Sequence, residues 1–319
     1  MDNSFAKLEQ FIAGHKNKKL AIVTHRRPDG DAIGSLLAMA SHLKSLGQEA
    51  AAYCFDAVPD YLNFLSGAEN IKREIDAFWQ RSEGVIIVDC GDLSMVGIPA
   101  ESFANKRLAV IDHHVSNPLY GEVNAVLPAA AGTAEIIVNY FKFARFVPDK
   151  AAATSLLVGI FTDTDAFSNL GTTPESMTAA AELMKLGANF KEVTANTMHN
   201  RSVASLKLWG KALERLRLDK EKGIAVTVLR LTDIAECQAK AEDAEGIASL
   251  LNHLSEVKMS MVLREQADGT VKGSLRTTSE LIDVSKIAKL LGGGGHMKAA
   301  GFSVKGRVVE TEKGWKIIE

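Results

Sequence analysis

The chain of 319 residues lacks an excess of positive charge: 37 lysines and arginines stand against 39 aspartates and glutamates, a formal net charge of −2. That excludes a global positive field that gathers nucleic acid, so an anionic substrate must be held by local charge or by metal. There is no Lys/Arg-rich run of the kind a basic groove needs to follow a long single strand. Cysteine is scarce. Cys54, Cys90 and Cys237 are odd in number, widely spaced and form no C-x-x-C pair, which suggests a reducing cytosol. No apolar run approaches the length of a membrane span, and the charged, amphipathic start MDNSFAKLEQ has no apolar core of a secretory signal. Internal repeats and low-complexity segments are missing too. The expectation is a cytoplasmic protein with no membrane partner. With 46% apolar residues the chain can build sizeable cores, and its length allows two domains of ordinary size.

What the chain does have is a series of short apolar runs that close on ionisable residues. Leu20-Ala21-Ile22-Val23 reads as a strand and ends in Thr24-His25-Arg26-Arg27-Pro28-Asp29-Gly30-Asp31. Val85-Ile86-Ile87-Val88 ends in Asp89-Cys90-Gly91-Asp92, and Leu108-Ala109-Val110-Ile111 ends in Asp112-His113-His114. A short strand is also expected to end at 53–55. Helical patterns are expected over 5–14, 32–46, 132–146 and 149–161, the last running into Thr162-Asp163-Thr164-Asp165. Strands alternating with helices indicate an α/β fold with a mainly parallel sheet. In such sheets ligands bind beyond the carboxyl ends of the strands.

Past Gly187 the pattern changes. A polar helix is expected over about 190–218, a strand over 223–231 and a helix over 232–254. Strands at 257–264 and 270–276 flank Ala267-Asp268-Gly269, a good hairpin turn. A helix over 283–291 runs into Gly292-Gly293-Gly294-Gly295-His296, and 301–319 alternates like a strand pair. A domain boundary is placed near 190–215.

Four strand or helix ends carry potential ligands: His25, Asp29 and Asp31; Asp89; His113 and His114; Asp163. His-x-x-x-Asp-x-Asp converges if the chain turns, and Pro28 and Gly30 favour a turn. Carboxylates with imidazoles suit a divalent metal of intermediate hardness, such as manganese, better than a thiolate metal. Six ligands are about enough for two ions if one carboxylate bridges, and a two-metal site stabilises both oxygens exchanged in phosphoester hydrolysis. Taken alone, Asp29 also reads as the N-cap of the helix that follows. On an extended strand His113 and His114 point to opposite faces and cannot share a job unless the chain turns.

These motifs resemble the DHH/DHHA1 phosphoesterase superfamily. THRRPDGDAIGS, VDC, IDHH and FTDTD look like its four metal motifs in order, and GSLRT and GGGGHMKAAGF look like its C-terminal substrate-binding domain. The resemblance covers nearly the whole chain and is most similar to the stand-alone nanoRNase/pAp phosphatase group. It implies a DHH metal-binding catalytic domain at 1–190, a linker helix at 191–215 and a smaller α/β DHHA1 domain at 216–319, with the active site in the cleft between them. It implies two divalent ions, most often Mn2+: one on His25, Asp29 and Asp89, the other on Asp31, Asp89, His113 and Asp163, with a bridging hydroxide as nucleophile. His114 would then face the phosphate and Asp112 would orient an imidazole. Arg276, Gly293, Gly294, Gly295 and His296 would bind substrate. Asp165 departs from the family pattern, where relatives often have glycine.

The implied activity is hydrolysis of short single-stranded RNA to mononucleotides, an exonuclease on nanoRNA, and of 3′-phosphoadenosine 5′-phosphate (pAp) to AMP and phosphate. Alternatives are a phosphodiesterase of linear or cyclic dinucleotides, a polyphosphatase, or a metal-dependent nucleotide sensor without turnover. A homodimer is left open. The run of four glycines reads either as a flexible connection or as a backbone nest for an anion. Its place inside a compact domain favours the nest.

Overall fold

The apolar runs become strands covered on both faces. The computed structural model describes residues 2–198, 202–295, 297–311 and 314–318, and the chain divides into two units, Met1–Asn200 and Arg201–Glu319. The first unit runs α1 (Asp2–Gly14), β1 (Leu20–Val23), α2 (Gly30–Ser45), β2 (Ala50–Tyr53), α3 (Ala77–Arg81), β3 (Gly84–Val88), β4 (Arg107–Asp112), β5 (Val123–Val126), α4 (Thr133–Phe143), α5 (Lys150–Asp163), α6 (Pro174–Lys185) and α7 (Phe190–Thr197). Its five strands are all parallel, in the order β2-β1-β3-β4-β5.

Alternate residues of each strand serve opposite faces, as the strand period of two requires. Leu20, Ile22, Ile86, Val88, Ala109 and Ile111 join one core cluster, and Ala21, Val23, Val85, Ile87 and Val110 join the other with Trp79 and Phe103. A parallel sheet buried on both faces reads as unbroken apolar runs, which is why the polar residues begin where the strands stop. Each such Val, Leu or Ile side chain contributes roughly 1.5–3 kcal/mol on burial. Strand order reverses direction at the β1/β3 boundary, because the chain leaves β1 for β2 on one side and returns as β3 on the other. The crevice at such a switch point is where doubly wound sheets bind ligands. His25 follows β1 and Asp89 follows β3.

Helix α5 is central: every residue from Ala152 to Phe161 is buried. It approaches α2 closely because both are small at the crossing; a Cβ on Gly34 would stand 2.2 Å from the Ser155 carbonyl oxygen. At the start of α2 a Cβ on Gly30 would stand 2.4 Å from Thr162 Oγ1, so the start of α2 lies against the end of α5 and Asp31 comes near Asp163. Three elements of this unit, α3, β5 and α6, were not among the expected ones. β5 is four residues with alternating burial, and α6 begins at a Thr173/Ser176 capping box with Pro174 at its first turn.

The second unit runs α8 (Val203–Glu214), β6 (Arg217–Asp219), β7 (Ile224–Leu229), α9 (Leu231–Glu236), α10 (Ile247–Leu251), β8 (Met259–Glu265), β9 (Thr270–Thr277), α11 (Val284–Leu290), β10 (Gly294–Gly295), β11 (Ala299–Lys305), β12 (Arg307–Thr311) and β13 (Gly314–Ile318). Its main sheet is ordered β10-β11-β9-β8-β7-β6 and mixed: β7 and β8 are parallel and the other pairs antiparallel. The hairpin at 266–269 is as expected, whereas the tail expected as one strand pair over 301–319 holds the end of β11, which joins the main sheet, and the separate pair β12–β13. The single helix expected over 232–254 is not formed. Gln238 (φ 52°) and Gly246 (φ 88°) take left-handed conformations, which end α9 and separate it from α10. The stretch 190–218 likewise holds two helices, α7 and α8, each started by its own cap, Asn189 and Ser202. Among the described residues no helix is long and apolar enough to cross a membrane.

One buried group in the first unit sets an acid limit on stability. His42 of α2 packs edge-on to Tyr140, with ring centroids 5.5 Å apart, and against Phe141 and Phe146. Burial pushes its imidazole down to about 4. The unfolded chain takes up this proton near its usual value of about 6.5, so stability is full above that pH and is lost as pH falls towards 4, by up to about 3 kcal/mol. Thermal melts between pH 7 and 4.5 should show a loss in the wild type that His42→Leu lacks. Equal slopes in the two proteins would show that His42 is not the sensitive group.

Candidate metal centre

His25 lies just past β1, in the turn to α2. Its Nδ1 donates to the Arg26 carbonyl at 2.8 Å, which turns Nε2 towards the crevice, 3.4 Å from Asp89 Oδ2. Asp29 caps α2: its Oδ1 accepts from Asp31 N at 3.1 Å and Ala32 N at 3.0 Å. The cap reading of Asp29 holds, and it is compatible with a ligand role, because the cap uses one oxygen and leaves the second to face a cation. Asp31 is wholly buried in the first turn of α2.

Asp89 directly follows β3 with φ 54°, a left-handed conformation that costs a non-glycine residue roughly 1–2 kcal/mol. Its amide donates to the Ile111 carbonyl at 3.0 Å, and the bend turns its carboxylate into the crevice. There Oδ1 lies 3.7 Å from His113 Nε2 and accepts from the Thr133 hydroxyl at 3.1 Å. Strand β4 stops at Asp112, so the chain has turned before the two histidines. His113 and His114 therefore lie side by side, with centroids 4.8 Å apart, rather than on opposite faces. Asp112 is fully buried; its Oδ1 accepts from His114 Nδ1 at 2.7 Å and its Oδ2 accepts from Asn117 Nδ2 at 2.7 Å. Asp163 is the last residue of α5, and its Oδ2 is 3.3 Å from His113 Nε2.

The donor atoms fall into three overlapping sets: His25, Asp29 and Asp89; Asp31, His113 and Asp163; Asp89, His113 and His114. Within each set they lie within 4.8 Å of one another, so all six expected ligands are brought together. Adjacent ligands of an octahedral ion with bonds of ~2.1 Å stand about 3 Å apart, close to the shorter separations seen here. Among the described residues, the ion pairs of these four carboxylates are all with histidine. The electrostatics call for a cation. Burial, then the charges of Asp89 and Asp29, push Asp31 well above the usual carboxylate range. Burial and the charges of Asp31, Asp29 and Asp89 do the same to Asp163. Burial lowers His25, but the Asp89 and Asp29 carboxylates outweigh it and carry it up to about 9. Burial raises Asp89, yet His25, His113 and His114 together hold it below the usual range. Oxygen and imidazole donors with surplus negative charge fit divalent metal.

Thr133 and Asn117 were not among the expected site residues. A hydroxyl at the start of the apolar helix 133–143 and an amide in the loop after Asp112 were the only signals. Asp165 joins none of the ligand sets. It is exposed and begins three consecutive left-handed residues, Asp165, Ala166 and Phe167, at φ 49°, 58° and 63°. That is the conformation glycine adopts without cost, and Asp is among the residues that tolerate it.

In the second unit Arg276 lies on β9, paired across the sheet with Ser260 and Ala299, and its Nη1 donates to the Leu275 carbonyl at 3.0 Å. Gly294 and Gly295 pair with β11 as a short strand. A Cβ on Gly293 would stand 2.1 Å from the Gly301 carbonyl oxygen, and one on Gly295 would stand 2.6 Å from that of Ala299. These two glycines are required by close sheet packing, whereas nothing lies within 4 Å of a Cβ on Gly294. The run is thus neither loose connection nor bare loop. His296 lies outside the described residues.

Comparison with known proteins fits this geometry. The family model for the DHH family, N-terminal domain, matches residues 19–160, and that for the DHHA1 domain matches residues 221–314. The chain is 33% identical over 285 residues to the bifunctional oligoribonuclease and PAP phosphatase NrnA of Thermus thermophilus, covering 89% of this chain and 84% of that protein. The chain belongs to the DHH family. As a DHH protein it is an enzyme of the phosphoric ester hydrolase class. It is also 28% identical to the cyclic-di-AMP phosphodiesterase GdpP of Geobacillus thermodenitrificans, over 92% of this chain but 45% of that protein. Its fold is shared with an exopolyphosphatase-related protein from Bacteroides fragilis, at a TM-score of 0.88 and 23% identity over 96% of this chain and 92% of that one.

Proposed function

We propose that this DHH protein hydrolyses short single-stranded RNA oligonucleotides to mononucleotides, and pAp to AMP and phosphate, with two divalent metal ions, manganese foremost. The observation that carries the reading is Asp89, whose two oxygens face different histidines, His25 and His113, at 3.4 and 3.7 Å. One carboxylate can then serve two ion positions: His25, Asp29 and Asp89 form one, and Asp31, Asp89, His113 and Asp163 the other. When bound, the ions supply Lewis acidity at the phosphate and a water activated near neutral pH. The chain's own residues do the rest. Asp112 fixes His114 by its Nδ1, and Nε2 is the ring nitrogen that would meet the phosphate or protonate the leaving oxygen. The grip on the remainder of the substrate is assigned to Arg276, Gly293, Gly294, Gly295 and His296. The relative named as a cyclic-di-AMP phosphodiesterase supports a second reading, cleavage of dinucleotides.

Both readings are separated by one panel with manganese: 5′-labelled RNAs from dimers to a long single strand, pAp, and cyclic dinucleotide. With a net charge of −2 and no basic run, the chain has little to hold a long strand. Di- to pentanucleotides and pAp should therefore be turned over much faster than long RNA. Rates that rise steadily with RNA length, or release from the cyclic dinucleotide alone, would sink the proposal.

A further inference from the structure

The first turn of α4 is pressed against the acidic cluster. Thr133 N donates to Asp31 Oδ2 at 2.6 Å, and Ala134 N donates to Asp31 Oδ1 at 2.8 Å. A helix N-terminus, with its partial positive charge, thus fixes both oxygens of one carboxylate. Oδ1 also accepts from the Ser35 hydroxyl at 3.4 Å, so Oδ2 is the oxygen with a second lone pair for a cation. The approach is close: a Cβ on Gly132 would stand 2.9 Å from Asp31 Oδ2 and 3.2 Å from Asp163 Oδ2. Thr133 then makes a second bond. Its buried hydroxyl donates to Asp89 Oδ1 at 3.1 Å. One residue is therefore bonded to two carboxylates that come from separate elements, α2 and the end of β3.

The two bonds are not symmetric with respect to the ion positions. Oδ1 is the Asp89 oxygen on the His113 side, while Oδ2 faces His25. Asp31 belongs with His113 and Asp163. Both contacts of Thr133 therefore fall on the Asp31–His113–Asp163 side. The opposite side has its own supports, since Asp29 is held as the α2 cap and His25 by the Arg26 carbonyl.

We propose that Thr133 is a positioning residue for one of the two ion positions, the one formed by Asp31, Asp89, His113 and Asp163. The inference rests on the two-ion reading above. Residues that orient metal ligands typically account for roughly 10–100-fold in metal affinity. Thr133→Val keeps the shape and the backbone bond to Asp31 but removes the hydroxyl. Thr133→Ser keeps the hydroxyl and serves as the rescue.

The experiment is calorimetric titration of metal-free wild type, Thr133→Val and Thr133→Ser with MnCl2, with thermal melts of the metal-free proteins to verify folding. The expected result is two binding steps in the wild type and in Thr133→Ser. In Thr133→Val one step should weaken roughly 10–100-fold while the other changes little. Wild type binding two ions with Thr133→Val unchanged, or with both steps weakened alike, would overturn the role of Thr133 and leave the two-ion reading standing. Wild type that binds fewer than two ions would overturn both.

Discussion

Asp89→Asn should lose turnover by roughly 10³-fold or more while the protein stays folded. The loss follows from the position of its carboxylate, which alone among the described residues belongs both to the His25–Asp29 set and to the His113–His114 set. Replacing it with a neutral amide weakens both ion positions together. Lewis-acid stabilisation is worth several kcal/mol, and each ~1.4 kcal/mol is tenfold in rate. Folding should survive for three reasons. Asn has the same shape. It tolerates the left-handed conformation at φ 54° as Asp does. Its amide oxygen can still accept from the Thr133 hydroxyl. Removing one charge from four crowded carboxylates also relieves repulsion, which offsets the lost attraction to the histidines. The measurements are phosphate release, metal content of the purified variant, and a thermal melt. A folded Asp89→Asn protein with near-normal turnover would rule out a shared carboxylate, and with it the two-ion site.

Much of this site was legible because the first unit's sheet is buried on both faces. In LAIV, VIIV and LAVI every side chain must be apolar, so the first ionisable residue after each run marks the carboxyl end of a strand. His25, Asp89 and Asp112 to His114 could be placed at one sheet edge from that alone. Asp163 was harder, since it ends a helix, and its place depends on how closely α5 crosses α2 at Gly34. What could not be read was anything set by docking between elements. Thr133 looks like an ordinary helix start until α4 is seated against Asp31 and Asp89. Asn117 looks like a loop residue until it meets the far oxygen of Asp112. The turn after Asp112 also overruled the strand rule that would have set His113 and His114 apart. In the second unit, the expected helix over 232–254 failed on local backbone: left-handed Gln238 carries no strong sequence signal, and Gly246 alone did not outweigh the apolar pattern around it. The four glycines had a third reading beyond connection and nest, since two of them sit where a neighbouring carbonyl leaves no space for a Cβ.

The same turn makes a test of neighbouring residues possible. His113 and His114 are adjacent in sequence and in space, but their surroundings differ. His113 Nε2 lies 3.3 Å from Asp163 Oδ2 and 3.7 Å from Asp89 Oδ1, between two carboxylates of the cluster. His114 has its Nδ1 committed to Asp112 at 2.7 Å, and Asp112 is held in turn by Asn117. Burial lowers the His114 imidazole, but Asp112 and Asp89 outweigh it and raise it above its usual value. A raised pKa keeps more of the ring protonated near neutrality, which suits a donor to phosphate oxygen better than a metal ligand. His113→Ala should therefore lose metal, and activity with it. His114→Ala should keep its metal and slow by roughly 10²–10⁴-fold, the range of a general acid or charge-stabilising group. Asp112→Asn should follow His114→Ala rather than His113→Ala, because it disturbs the ring's tautomer and not the metal. Metal analysis of the three purified variants, beside their turnover on a dinucleotide, decides the matter. Equal metal loss in His113→Ala and His114→Ala would mean that both rings are ligands, and the proton for the leaving oxygen would have to come from elsewhere.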